Sequence, residues 1–382
     1  MAKKCVVIIA GEASGDIHGA KLVNAMRVMD NDLFFCGIGG DALKKAGVRI
    51  LFNASKLSVV GITEVFSKIP NIIKGMVLVK RLLKSLCPEL LILIDFPDFN
   101  LHIAAVAKKN NIPVLYYISP QIWAWRQGRV KKIAKRVDHM AVILPFEADY
   151  YKEHSVPVTF VGHPLLDIDA TEIRIVFDKK KEATCVLGIL PGSRNSEVAR
   201  NLAVMLDAAR ILSDRIENIK VVVSLAQSVE KTFVEQIVKQ HQKHFDLEID
   251  TRSVKTILKR CDFVIAVSGT VTLEAAIYGV PMIIVYKVSM VTYLLGRSLI
   301  KVKNIGLANL IAGRNIVPEL VQNNASANNI ADTAFKLWSH PEWQKDIRKD
   351  LIGVKKMLGA SGASKRVAGI AINMLRIEKQ IT

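Results

Sequence analysis

Aromatic residues make up only 6% of this 382-residue chain, and acidic residues are outnumbered by basic ones, 35 to 53. The shortage of acids leaves a formal net charge of +18. The scarcity of aromatics, with no RNP-like pattern, argues against a nucleic-acid partner despite that charge. Cysteine is sparse as well. Cys5, Cys36, Cys87, Cys185 and Cys261 are odd in number, widely spread and never arranged as CxxC. They predict reduced core thiols in a cytosolic protein rather than a disulfide framework or a zinc site. No apolar run reaches the ~20 residues that a spanning helix needs. The opening run, Cys5 to Ala10, is too short for a signal peptide and leads into Gly-Glu instead of a cleavage site; it reads as a first buried strand. GxSxG and a P-loop Gly-Lys-Ser/Thr are both missing, which removes the commonest hydrolase and nucleotide triphosphatase readings.

What is present is an apolar fraction of 51% combined with that positive charge. A hydrophobic yet basic globular protein suits an anionic surface, such as acidic lipid or a phosphorylated substrate. Short apolar runs recur, each followed by a Gly-rich or polar turn and then a helical pattern. Runs of four to six apolar residues predict parallel strands buried on both faces, and their alternation with helices predicts an α/β fold. The pattern restarts at Cys185 after a charged stretch. Two Rossmann-like parallel-sheet domains follow, residues 1–168 and 169–354, with an interdomain cleft. The final helices, about 355–382, end the chain without another strand and are free to pack back on the first domain.

Several strand-end turns carry candidate chemistry. Gly11-Glu12-Ala13-Ser14-Gly15-Asp16 follows the first strand and opens a helix, where glycines admit close approach of a ligand. Glu12, Ser14 and Asp16 are its ligand candidates. Gly37 to Ala42 matches G-x-G-x-x-A but follows the second strand and lacks the ribose-binding acid, so it reads as a packing turn and no dinucleotide cofactor is expected. Ile94-Asp95-Phe96-Pro97-Asp98-Phe99-Asn100 places two carboxylates past a strand end. Burial among phenylalanines would raise a carboxyl pKa, and either Asp95 or Asp98 could serve as a general base. A cap on a helix starting near Leu101 is the alternative use of Asp98. Gly192, Ser193 and Arg194 offer backbone N–H groups and a guanidinium fork to phosphate. Ser268, Gly269 and Thr270 open another helix that can hold a diphosphate, with Glu274 one turn inside for a ribose hydroxyl. Asp167-Ile168-Asp169 has the DxD form of a metal–diphosphate motif, but it lies in the interdomain stretch and reads as chance, so no metal is predicted.

Two further stretches are chemically unusual. Trp123 and Trp125 stand one position apart, followed by six Lys/Arg within Arg126 to Arg136. Trp123, Trp125, Arg126 and Arg129 suit a ligand with an apolar body and anionic groups. After Pro70, Ile72, Ile73, Met76, Val79 and Leu83 recur at helical spacing beside Lys80 and Arg81. A basic amphipathic helix of this kind can lie in an anionic membrane surface. Met290, Tyr293, Leu294, Arg297, Ile300 and Lys301 give a weaker second case.

With these residues in view, the chain resembles the lipid-A-disaccharide synthase family, glycosyltransferases of the GT-B fold. The resemblance runs nearly end to end and rests on Gly11–Asp16, Asp95–Asn100, Ile118–Arg129, Leu144–Glu147, Phe160–His163, Leu190–Arg194, Ser268–Glu274 and Asn309–Arg314. It implies UDP-2,3-diacylglucosamine as donor and 2,3-diacylglucosamine 1-phosphate as acceptor. The products implied are a β-1′,6-linked disaccharide 1-phosphate and UDP, formed with inversion. It also implies a peripheral enzyme on the cytoplasmic side of the inner membrane, with no cofactor. Asp95 falls on the family's proposed base, Arg194 on its UDP-contacting arginine and Asn309 on a functional asparagine. A homodimer is left open. The rival readings are another UDP-GlcNAc enzyme of this fold, either a polyprenyl-linked GlcNAc transferase or a 2-epimerase, and a basic nucleic-acid-binding protein.

Overall fold

Continuous apolar runs such as Leu90–Ile94, fully buried along their length, form strands that need cover on both faces, and a parallel sheet sandwiched by helices supplies it. The computed structural model describes residues 4–56, 62–167, 184–241, 245–290, 293, 302 and 304–377. The chain divides into two compact units, residues 1–167 with 358–382, and residues 168–357.

The first unit runs β1 (Lys4–Ala10), α1 (Ala13–Met29), β2 (Leu33–Gly39), α2 (Asp41–Lys45), β3 (Arg49–Asn53), α3 (Ile62–Leu86), β4 (Leu90–Ile94) and α4 (Pro97–Lys109). It continues with β5 (Val114–Tyr117), α5 (Ile122–Trp125), α6 (Val130–Ala134), β6 (His139–Val142), α7 (Pro145–Glu153) and β7 (Val158–Phe160). Its seven strands pair in parallel in the order β3-β2-β1-β4-β5-β6-β7.

The second unit runs β8 (Cys185–Leu190), α8 (Asn195–Ser213), β9 (Ile219–Ser224), α9 (Lys231–Lys239), β10 (Asp246–Asp250), α10 (Val254–Leu258), β11 (Phe263–Val267) and α11 (Thr270–Ile277). After β12 (Met282–Tyr286) come α12 (Leu307–Ala312), β13 (Glu319–Val321), α13 (Ala327–Ser339) and α14 (Pro341–Met357). Its six strands are also parallel, in the order β10-β9-β8-β11-β12-β13. Both sheets reverse strand order once, at β1/β4 and at β8/β11. Open α/β sheets bind ligands outside the carboxyl ends of the strands at such a switch point.

The chain closes with α15 (Ala363–Ile377), which belongs to the first unit. Val367, Ala368, Ala371, Ile372 and Leu375 are buried in one cluster with Leu22, Val23 and Met26 of α1. Burial of each of the larger ones contributes roughly 2 kcal/mol. The Asp167 carboxylate accepts from Gly362 N (2.6 Å), Ala363 N (3.1 Å) and Ser364 Oγ (3.3 Å), and so caps the start of that helix.

Several expectations need correction. The edge strands β3, β10 and β13 were not anticipated; they are mostly half-exposed and lack the continuous apolar run of a central strand. Gly37 and Gly39 lie inside β2, not in a turn after it. An ideal Cβ on Gly37 (φ +151°) would lie 1.9 Å from the Ile8 carbonyl oxygen, so the sheet admits no side chain there. Helix α4 starts at Pro97, so Asp98 sits in its first turn and does not cap it. Cys87 is exposed and is no core thiol. Of the DxD stretch, Ile168 and Asp169 lie outside the described residues, as do Leu294, Arg297, Ile300 and Lys301.

Candidate functional site

At the switch point of the first sheet, the turns after β1 and β4 interlock. Phe96 packs against Gly11, where an ideal Cβ would lie 2.3 Å from the ring. Asp95 and Phe96 both adopt left-handed backbone, φ +45° and +49°. Two consecutive non-glycine residues in that region are strained, and such strain gathers at functional sites. The turn is pinned through the Asp95 carbonyl, which accepts from Tyr116 Oη at 2.6 Å and Asn100 Nδ2 at 2.7 Å. Burial, reinforced by the charge of Glu12, pushes the Asp95 carboxyl up to about 6. A carboxylate poised there is suited to take a proton near neutral pH. Glu12 and Ser14 are exposed at the start of α1.

Asp16 is turned toward backbone. It is buried, and its carboxylate accepts from Gly40 N, Ala42 N and Leu43 N at 2.6, 2.8 and 3.3 Å, capping α2. Asp98 is well exposed and pairs with Arg129, with Arg126 Nη1 at 3.5 Å. Asp98 is thus solvated and paired with cations, whereas Asp95 is buried. The two tryptophans part company. Trp125 is 43% exposed and carries the Arg126 guanidinium 4.1 Å from its ring. Trp123 is buried, and its Nε1 donates to Glu147 Oε1 at 3.1 Å. Burial pushes that Glu147 carboxyl up to about 7, against the opposing bonds from Leu144 N, Trp123, Ile143 N and Ser119.

Helix α3 shows two apolar faces. Val79 and Leu83 are buried in the core, with Ile72 and Met76 packed against it. Val79 and Leu83 therefore cannot touch lipid, a correction to the predicted membrane patch. Among the described residues of α3, Ile69, Ile73 and Val77 form an exposed apolar stripe at i, i+4 and i+8, and Leu86 is exposed at the helix end. No helix among the described residues is long and apolar enough to cross a membrane.

At the switch point of the second sheet lies a cavity of about 310 Å³, lined by Gly192, Ser193, Arg194, Ser268, Gly269, Thr270 and Glu274, among others. It brings together every residue predicted for UDP. Gly269 caps α11 and Thr270 begins it; the Thr272 N–H donates to Gly269 O at 3.1 Å, and the N–H groups before it lack an intrahelical carbonyl, an arrangement suited to an anion. Burial raises the Glu274 carboxyl above the usual range. Asn309, by contrast, is fully buried and satisfied. Its Nδ2 donates to Val317 O (2.9 Å) and Glu319 Oε1 (2.7 Å), and its Oδ1 accepts from Ile316 N (2.8 Å) and Val317 N (3.0 Å). These bonds tie the turn before β13 to α12.

Tyr116 and Glu147 were missed as site supports. Tyr116 sits in an apolar strand, and Glu147 reads as an ordinary first-turn acid. Among the described residues no group of three or more His, Cys, Asp and Glu could hold a metal ion.

The lipid-A-disaccharide synthetase profile matches residues 6–367. Lipid-A-disaccharide synthase from Geobacter metallireducens is 44% identical over 379 residues, covering 97% of this chain and 97% of its own. That from Syntrophus aciditrophicus is 44% identical over 382 residues, covering 98% and 99%. Among solved structures, UDP-GlcNAc 2-epimerase from Neisseria meningitidis bound to UDP-GlcNAc is similar with a TM-score of 0.64 at 11% identity, over 97% of this chain and 100% of that one. A UGT transferase from Siraitia grosvenorii in complex with UDP gives 0.61 at 14%, over 98% and 100%. At such identities these structures speak to the fold alone, which glycosyltransferases and epimerases share. The sequence separates them: this chain belongs to the lipid-A-disaccharide synthase family, the glycosyltransferases of lipid A biosynthesis.

Proposed function

We propose that the chain joins UDP-2,3-diacylglucosamine to 2,3-diacylglucosamine 1-phosphate, releasing UDP and a β-1′,6-linked disaccharide 1-phosphate. The observation that carries this reading is the second unit's cavity, where Arg194, two glycine turns and a helix start converge at a switch point. In the reaction, the Asp95 carboxylate takes the proton of the acceptor's 6-hydroxyl. That oxygen attacks the donor's anomeric carbon from the face opposite UDP, forming the new C–O bond with inversion. The bond from that carbon to the diphosphate breaks, and its electron pair leaves with UDP. Arg194 and the start of α11 stabilise the charge that develops there. Glu274 accepts from a ribose hydroxyl. Trp125, Arg126 and Arg129 guide the anionic, acylated acceptor.

The exposed stripe Ile69, Ile73 and Val77, beside Lys74, Lys80 and Arg81, supports peripheral attachment to an anionic leaflet on the cytoplasmic side of the inner membrane. Incubation of purified protein with the donor and radiolabelled acceptor in detergent, with EDTA, tests the reading. A labelled disaccharide is expected. UDP binding without any disaccharide, with magnesium present or absent, would mean that another acceptor is used.

A further inference from the structure

In the second unit one carboxylate already holds the donors that an anionic ligand would use. Glu197 Oε2 accepts from Ser193 N at 3.0 Å, and its Oε1 accepts from Arg194 Nη1 at 3.0 Å. All three residues line the same cavity. Gly192 makes the arrangement sterically feasible: at φ +119°, an ideal Cβ there would lie 2.6 Å from Glu197 Oε2. Among the described residues, the charged side chains lining the cavity are Arg194, Glu197 and Glu274, one cation against two carboxylates. A diphosphate brings at least two more negative charges, so that set opposes its entry. A backbone N–H donates a single strong hydrogen bond, so Ser193 cannot serve Glu197 and a phosphate oxygen together.

We propose that Glu197 is a built-in competitor of the nucleotide diphosphate. It occupies Ser193 N–H and the Arg194 guanidinium, keeps the turn in its anion-binding shape, and is displaced when the nucleotide binds. The inference rests on the nucleotide reading of the cavity and adds a function to it: Glu197 returns to its donors as UDP leaves, which weakens product binding and hastens release. It is a positioning residue, since it acts through Ser193 and Arg194.

Calorimetric titration of UDP into full-length wild-type protein and Glu197→Gln, at low and high salt, tests this. The variant is expected to bind UDP about fivefold more tightly at low salt, with the gap shrinking as salt screens the carboxylate. Equal or weaker binding by a variant that melts like wild type overturns the role of Glu197. Absence of UDP binding by wild type removes the nucleotide reading and this role with it. A crystal structure of wild-type protein with UDP decides the matter without a variant. A phosphate oxygen on Ser193 N with Glu197 turned away supports displacement, and survival of the Ser193–Glu197 bond overturns it.

Discussion

The Tyr116 hydroxyl donates to the backbone carbonyl of Asp95 at 2.6 Å. A residue of β5 thus fixes a strained turn at the end of β4, and with it the direction in which the Asp95 carboxylate points. Asn100 makes the same carbonyl bond from α4. Neither bond uses the carboxylate, which takes a backbone hydrogen bond at Phe96 instead.

Asp95→Asn is expected to abolish transfer and to stabilise the protein at alkaline pH. The carboxyl titrates at about 6 in the fold against 3.8 when unperturbed, so folding favours its neutral form. The stability linked to that preference is complete below about pH 4 and is lost as pH rises through 6. At pH 8 the variant should therefore gain up to about 3 kcal/mol, and near pH 4 nothing. Urea unfolding at both pH values checks this. For the wild type, kcat/KM should fall on the acid side near pH 6.

Arg194→Ala should weaken UDP binding by roughly ten- to a hundredfold, because a charge-assisted contact to phosphate disappears from the cavity. Melting temperature should hardly change, since the Arg194–Glu197 pair is partly exposed and such pairs add little to stability. A large fall in melting temperature with intact UDP affinity would make Arg194 a structural residue.

Ile73→Glu and Val77→Glu should reduce binding to anionic liposomes without unfolding the protein. Val79→Ala and Leu83→Ala should instead cost about 1–4 kcal/mol each, through lost burial and the cavities they leave. Liposome sedimentation alongside thermal melts separates the two faces of α3. Undiminished liposome binding by both glutamate variants would remove this helix as the membrane contact.

Asn309→Ala should lose activity and stability together, because it strands the buried groups that Asn309 serves in this structure. A loss of roughly 3 kcal/mol is expected. An inactive Asn309→Ala protein with wild-type stability would return the residue to the acceptor site.

The α/β class and both switch-point turns were legible because buried parallel strands write continuous apolar runs and glycine turns mark their ends. The unread elements share one cause, which is that their pattern has more than one solution. Arg49–Asn53 and Asp246–Asp250 are edge strands whose polar positions resemble loop. Asp16 looks like a ligand residue in sequence, and the family resemblance implies a functional role for Asn309; in the fold Asp16 bonds to backbone, and Asn309 bonds to backbone and to the Glu319 carboxylate. On α3 the apolar spacing fits two faces, and only the packing of Val79 and Leu83 tells which one the core takes.

The return of α15 to the first unit has a consequence for synthesis. A ribosome delivers β1 and α1 first, yet Leu22, Val23 and Met26 share their buried cluster with Val367, Ala368 and Ala371. That apolar surface lacks its partner until about 350 further residues have been made. The unit begun first is completed last, after every strand of the second unit has emerged, and during that interval the nascent chain carries an uncovered sticky face that chaperones would have to shield.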